Sequence, residues 1–182
     1  MNLKDFSVQQ LHKIVPKINF HDYKLHNYYL YVYLDPFMPK EKVYKLPSNS
    51  KNSEELDKNY TFYFRPIYIG KASNKGYRHN QHIASFLTGP YDEAAGTDEE
   101  VYNPNKRSEF ISLQNKMKLV KEFPEKFDSS IPMDWKDYQR DWIMILDSFN
   151  NHEDLVKAEA AIIKEIGTIK KGNGPLVNIL LG

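Results

Sequence analysis

Residues 66–82 constrain the fold of this chain more than any other segment, because they read as a strand, a glycine turn and a helix in succession. Apolar and aromatic residues up to Ile69 predict a strand, and Gly70 is expected to turn the chain at its end. The pattern after the turn predicts a helix over residues 76–87, closed by a Gly-Pro pair. One face of that helix would therefore lie beside the end of the strand.

An aromatic and aliphatic run at residues 28–34 predicts a second strand, whose two faces are both expected to be covered. An Asp-Pro pair is expected to end it, and the polar, proline-containing residues 36–60 are expected to form an insertion loop. The strands at 28–34 and 61–69 would then form a hairpin that this loop widens.

Hydrophobic spacing along the rest of the chain predicts the remaining elements. They are an N-terminal helix at residues 7–16, an acidic loop at 90–104, a long helix with Phe110, Leu113, Met117 and Val120 on one side, a short strand at 142–146, a helix at 152–166 that ends at Gly167, and an apolar segment at 176–181. The predicted fold class is α+β, a small three-stranded and mainly antiparallel sheet flanked by helices, with two loop or helix insertions and an extra N-terminal helix.

The length of 182 residues predicts one domain with a real core, and 41% hydrophobic with 27% charged residues is ordinary for a globular protein. Because the chain contains no cysteine, disulfides, thiolate metal sites and cysteine nucleophiles are excluded. Residues 1–10 carry no hydrophobic signal region, and no apolar run approaches the ~18 residues that a membrane span needs. These features predict a cytoplasmic protein with no membrane partner.

The net charge of +1 does not by itself indicate a polyanionic partner, but the charges are unevenly distributed. Two groups of basic residues are present. The first contains Lys71, Lys75, Arg78, His79 and His82, and the second contains Lys106, Arg107, Lys116, Lys118 and Lys121. A locally basic surface binds phosphates even when the total charge is near zero. For the second group, a solvated helix face is the alternative explanation.

Glu159 is the carboxylate whose position most needs an explanation. At ~100° per residue, it falls within the apolar stripe formed by Leu155, Ala158, Ile162 and Ile166. A carboxylate on a core-facing stripe costs several kcal/mol unless it is paired or holds a metal. Three explanations therefore stay open, which are a metal ligand, a structural salt bridge, and a residue at the edge of the stripe that reaches solvent.

Arg78 and His82 are four residues apart and so would project from one face of the predicted helix. An arginine fork grips phosphate and neutralises charge in phosphoryl transfer, and a histidine relays protons or holds a phosphate oxygen. At the strand end, Tyr68 offers a phenol and Lys71 an ammonium. Strand alternation lets Tyr31 border the same pocket as Tyr68, although cross-strand packing explains either tyrosine on its own.

These motifs together resemble the GIY-YIG nuclease family. Tyr29-Leu30-Tyr31 is similar to the Gly-Ile-Tyr strand of that family and Tyr68-Ile69-Gly70 to its Tyr-Ile-Gly strand, while Arg78, His82, Glu159 and Asn178 match its later residues. The sequence around Lys71 is most similar to the nuclease domain of bacterial nucleotide-excision repair, and Leu34-Asp35-Pro36 to the ankyrin-repeat and LEM-domain nucleases. The resemblance covers residues 28–180 and implies one GIY-YIG-like nuclease domain over 1–182, with insertions at about 36–60 and 88–140.

The resemblance implies a metal-dependent DNA endonuclease, in which water attacks a phosphodiester bond and leaves a 5′-phosphate and a 3′-hydroxyl. Glu159 would hold one Mg²⁺ or Mn²⁺ ion, with water completing its coordination. Tyr68, helped by Lys71, would activate the attacking water, and Arg78 would stabilise the scissile phosphate.

The resemblance also implies that His82 and Tyr31 position the phosphate or the water and that Asn178 braces the site by hydrogen bonding. The predicted DNA contacts are Lys71, Lys75, Arg78 and His79. Because one such domain nicks one strand, a homodimer is expected for double-strand cleavage. A compact phage, restriction-type or repair nuclease is the predicted class of protein, and the alternative is a catalytically silent nucleic-acid-binding module on the same scaffold.

Overall fold

A computed structural model of the chain describes residues 18–19, 27–46, 58–73, 104–171 and 173–178. The predicted helices at 7–16 and 76–87 lie outside these residues, as does nearly all of the acidic loop. Of the apolar segment predicted at 176–181, the first three residues are described and all three are buried.

The described strands form one antiparallel sheet. Its strands are β1 (Ile18–Asn19), β2 (Tyr28–Leu46), β3 (Lys58–Ser73) and β4 (Ile143–Phe149), in the order β1-β4-β2-β3. The predicted α+β class and the antiparallel sheet of three main strands are confirmed, and the two-residue β1 extends that sheet beyond β4.

The predicted end of the first strand at Asp35-Pro36 is wrong, and so is much of the loop predicted at 36–60. β2 continues to Leu46 and pairs again with β3 from Lys58 onwards. The turn predicted at Gly70 is also wrong, because Gly70 pairs with Tyr31 and β3 continues to Ser73. The pairing shifts register between Tyr33 and Leu34 and twice more before Lys42. Such irregularities let proline and polar residues remain in a strand, because they leave single residues out of the ladder.

Three α-helices are present among the described residues, which are α1 (Pro104–Glu122), α2 (Trp135–Trp142) and α3 (His152–Ile166). α1 has its predicted core residues buried, and α3 has its predicted bounds. α2 was not predicted, although its three aromatic residues at 135, 138 and 142 have helical spacing. Consequently the strand predicted at 142–146 begins one residue later, and Trp142 is the last residue of α2.

The helices lie on both faces of the sheet. Tyr28 and Tyr33 are five residues apart in β2, so strand alternation directs them to opposite faces. The ring of Tyr28 lies 6.2 Å from that of His152 at the start of α3. The ring of Tyr33 lies 5.7 Å from Phe110 of α1 and 6.3 Å from Tyr138 of α2. α3 therefore covers one face, and α1 with α2 contacts the other.

Candidate active site

The predicted catalytic residues divide between described and undescribed parts of the chain. The described ones are Tyr31, Tyr68, Lys71, Glu159 and Asn178, whereas Arg78, His82 and the predicted DNA contacts Lys75 and His79 lie outside the described residues. Lys71 and Glu159 meet on the α3 side of the sheet, and Asn178 binds the adjacent backbone of β3. Tyr31 and Tyr68 pack together on the other face.

Glu159 pairs with Lys71. Lys71 stands opposite Leu30 in the β2–β3 ladder, and its ammonium contacts Glu159 Oε2 on α3. The Lys71 side chain is 22% exposed and the Glu159 side chain 13% exposed, so both groups are mostly covered yet reach solvent. Leu155 and Ile162 of the same helix are fully buried. The salt bridge, one of the three explanations for a carboxylate on this stripe, is thus present.

Asn178 binds the outer edge of β3. Its side-chain oxygen accepts a hydrogen bond from the Ile69 N–H (2.9 Å), and its amide nitrogen donates to the Ile69 carbonyl (2.6 Å). One residue earlier, the Val177 N–H donates to the Ile67 carbonyl (2.8 Å). Because the amide satisfies both backbone groups of Ile69, the segment holds this part of β3 as another strand would. The backbone that carries Tyr68 and Lys71 is fixed by these bonds.

Tyr31 and Tyr68 lie together on the face opposite Lys71. Their ring centroids are 6.2 Å apart, and the side chains are 0% and 3% exposed. Tyr31 stands opposite Gly70 in the ladder, and a Cβ atom at Gly70 would overlap the Tyr31 ring. The cross-strand packing that the sequence analysis gave as the alternative for these tyrosines is present. The register directs Tyr68 and Lys71 to opposite sides of β3.

Tyr33 belongs to the core of the same aromatic face. Burial, followed by its tyrosine neighbours, raises the pKa of Tyr33 well above its usual value. Its ring packs 5.6 Å from Tyr68 and 5.7 Å from Tyr31. A phenol in this environment stays neutral at ordinary pH, so Tyr33 stabilises the rings of the candidate site rather than supplying a base.

The single carboxylate beside Lys71, that of Glu159, limits which metal ions this site could hold. Within the described part of the chain, no three His, Asp or Glu side chains are grouped so as to hold a metal. Glu159 by itself offers hard oxygen atoms that are partly open to solvent. This fits a Mg²⁺ or Mn²⁺ ion that binds through one carboxylate and keeps most of its water, and it does not fit an ion enclosed by protein ligands.

A second charged cluster, which the sequence analysis missed, surrounds Asp35. Asp35 is 2% exposed; its carboxylate lies 3.3 Å from the Arg65 guanidinium and 3.7 Å from the Lys116 ammonium, and it accepts from the Phe37 N–H at 2.9 Å. Arg65 also pairs with Glu109 of α1. The only signal in the sequence was an aspartate directly after an apolar run, which also fits an ordinary turn.

The basic group predicted on α1 is only partly available to a ligand. Lys116 lies against Asp35, whereas Lys118 and Lys121 are exposed. The side chains of Lys106 and Arg107 are not among those described.

No protein-family model, curated protein or solved structure matches the chain. In the parts of the chain described above, no helix has the length and apolar character needed to cross a membrane.

Proposed function

We propose that this protein is a metal-dependent DNA endonuclease of the GIY-YIG type, which hydrolyses phosphodiester bonds by water attack. The observation that carries the proposal is the meeting of Lys71, Glu159 and Asn178 at one part of β3. Glu159 lies 88 residues after Lys71, and Asn178 lies 109 residues after its partner Ile69. No local sequence pattern requires these residues to meet, and a shared site is the reason that this proposal gives for their meeting.

In this proposal, Glu159 holds one Mg²⁺ or Mn²⁺ ion, which when bound neutralises charge on the leaving oxygen. Lys71 supplies a positive charge beside that carboxylate and attracts the DNA phosphate. Asn178 keeps the β3 backbone in place, so that the groups it carries stay aligned. Tyr31 and Tyr68 are buried on the face opposite Lys71 and Glu159, so in this proposal they support β3 and take no part in activating or positioning the water.

The helix that the sequence predicts at residues 76–87 would supply the remaining groups in this proposal. Arg78 stabilises the scissile phosphate and His82 positions it, with Lys75 and His79 as further DNA contacts. Lys118 and Lys121 are exposed on α1 and add positive charge for the DNA backbone. Since each domain has one such site, cleavage of both strands uses a homodimer.

The decisive experiment compares Glu159→Gln with Glu165→Gln, an exposed position on the same helix. Wild type and Glu165→Gln are expected to nick supercoiled plasmid in Mg²⁺ and to stop when EDTA is added. Glu159→Gln should lose about 100-fold or more of that rate, the scale seen when an electrostatic stabiliser is removed. End labelling of the products should show 5′-phosphates. Equal rates for the two variants would overturn the proposal, and circular dichroism checks that both are folded.

A silent nucleic-acid-binding module is the second candidate. The Lys71–Glu159 pair favours it, because the pair satisfies the carboxylate without any metal. Under this alternative, the wild-type protein binds DNA in gel-shift assays but cleaves no supercoiled, linear or branched DNA in Mg²⁺ or Mn²⁺. Any metal-dependent cleavage that Glu159→Gln abolishes excludes it.

A further inference from the structure

The carboxylate oxygen that the proposed function assigns to a metal ion already has a cation in contact with it. The Lys71 ammonium donates a hydrogen bond to Glu159 Oε2, and both side chains are largely covered. A Mg²⁺ ion binds a carboxylate oxygen at about 2.1 Å. An ammonium on the same oxygen would put the two positive charges within about 4 Å of each other, where they repel strongly in a partly covered site.

We propose that Lys71 and the divalent ion bind Glu159 in turn, so that metal binding releases the Lys71 ammonium from the carboxylate. This inference rests on the proposed metal site. Before the metal binds, Lys71 compensates the covered charge of Glu159, and afterwards the metal does so. The carboxylate therefore has a cationic partner in both states, which avoids the cost of a buried unpaired charge.

The surroundings indicate that Lys71 is the partner that moves. Glu159 is carried by α3, where Leu155, Ile162 and Ile166 are buried. The β3 backbone next to Lys71 is held by the two hydrogen bonds of Asn178. The Lys71 side chain itself is a flexible four-carbon stem that is 22% exposed, so its ammonium can swing towards solvent while the backbone stays fixed.

The released ammonium has a use in the proposed reaction. Lys71 lies on the same side of β3 as Glu159, where the phosphate is proposed to bind. Metal loading would therefore supply two positive groups together, the ion on Glu159 and an ammonium available to the phosphate. Without metal, both Lys71 and Glu159 are occupied by each other, and the site is closed to an anion.

Lysine labelling tests this directly and does not depend on activity. The protein is treated with formaldehyde and a borane reductant with and without saturating Mn²⁺, and methylation of each lysine is followed by mass spectrometry. Lys71 should be labelled several-fold faster with Mn²⁺. The matched control is Lys157, which pairs with Glu153 on the surface of α3 and should not change. In Glu159→Gln, Lys71 should be labelled rapidly without metal and show no further increase.

Mn²⁺ affinity, measured by the electron paramagnetic resonance signal of the unbound ion, gives a second readout. Lys71→Met should bind Mn²⁺ several-fold more tightly than wild type, because the ion no longer has to displace an ammonium. Bound Mn²⁺ with unchanged Lys71 labelling would overturn the inference and leave the nuclease proposal standing. Bound Mn²⁺ with released Lys71, but no cleavage of any DNA, would support the inference and count against the nuclease. Absence of Mn²⁺ binding would overturn the inference.

Discussion

At Gly70, the backbone of β3 passes against the ring of Tyr31, with no room for a side chain. The backbone of Gly70 does not have a positive φ angle, so another residue is excluded by space and not by conformation. Gly70→Ala is therefore expected to lower the free energy of unfolding by about 1–3 kcal/mol, as overpacking does in other cores. Urea denaturation measures this change.

The same substitution in a Tyr31→Leu background identifies the cause. Leucine lacks the outer ring atoms and the hydroxyl that a Cβ at Gly70 would meet, so the cost of Gly70→Ala should largely disappear. If the cost is the same in both backgrounds, the explanation by overlap with Tyr31 is wrong.

Asp35 is a second residue whose role is set by its neighbours. Asp35→Ala leaves Arg65, Lys116 and the Phe37 N–H without their shared acceptor. The expected loss is about 2 kcal/mol, below the ~3–5 kcal/mol of a fully buried pair, because Arg65 and Lys116 reach solvent. Asp35→Asn keeps an acceptor for the Phe37 N–H and should lose less. Chemical denaturation of both variants provides the test, and equal losses would show that only the charge of Asp35 matters.

At the scale of elements, the residues that flank α3 determine where this helix begins and ends. The Asn151 side chain accepts a hydrogen bond from the Asp154 N–H at 2.9 Å, and Gly167 ends the helix with φ of 84°. Asn151→Ala should cost about 1 kcal/mol, which lowers Tm by about 2–4 °C in a chain of this size. The neighbouring exposed Asn150→Ala is the control and should not change Tm, as thermal denaturation can check. Equal effects of both changes would contradict capping by Asn151.

These local signals explain why α3 was predicted to its ends whereas β2 and α2 were not. The apolar spacing lies within α3 and the terminal glycine directly follows it, so a short window of sequence contains both signals. The second half of β2 contains prolines and lysines that read as a loop, and it is a strand because β3 pairs with it across bulges. α2 is eight residues long and rich in charge, which leaves too few turns for a clear pattern.

Across the whole molecule, the contacts between the candidate residues could not be predicted from the sequence. The apolar stripe of α3 indicated that Glu159 needs a partner, but that partner is on β3, 88 residues earlier. Helical periodicity carries no information on such a distance. The sequence analysis grouped Tyr68 with Lys71 at the strand end, whereas strand alternation directs two residues three positions apart to opposite faces.

The buried tyrosines make the free energy of unfolding of the whole molecule depend on pH in the alkaline range. Burial raises the pKa of Tyr33 and Tyr138 well above their usual value of 10.0, and burial with the charge of Asp147 raises that of Tyr60. Tyr138 also donates to the Leu34 carbonyl at 2.7 Å, and Tyr60 to Asp147 at 3.3 Å. The folded protein therefore keeps these protons at a pH where the unfolded chain releases them.

Because the unfolded state loses its tyrosine protons first, the free energy of unfolding should fall once the pH rises above about 10, and the contribution of these groups is fully present below it. Each tyrosine contributes a slope of about 1.4 kcal/mol per pH unit, so the three together give about 4 kcal/mol per unit. Urea denaturation between pH 8 and 11 measures this slope. Tyr60→Phe removes one of the protons and should reduce the slope by about one third. The absorbance at 295 nm that wild type shows and Tyr60→Phe lacks should appear only together with unfolding, and its appearance in the folded protein near pH 10 would contradict the burial of the Tyr60 phenol.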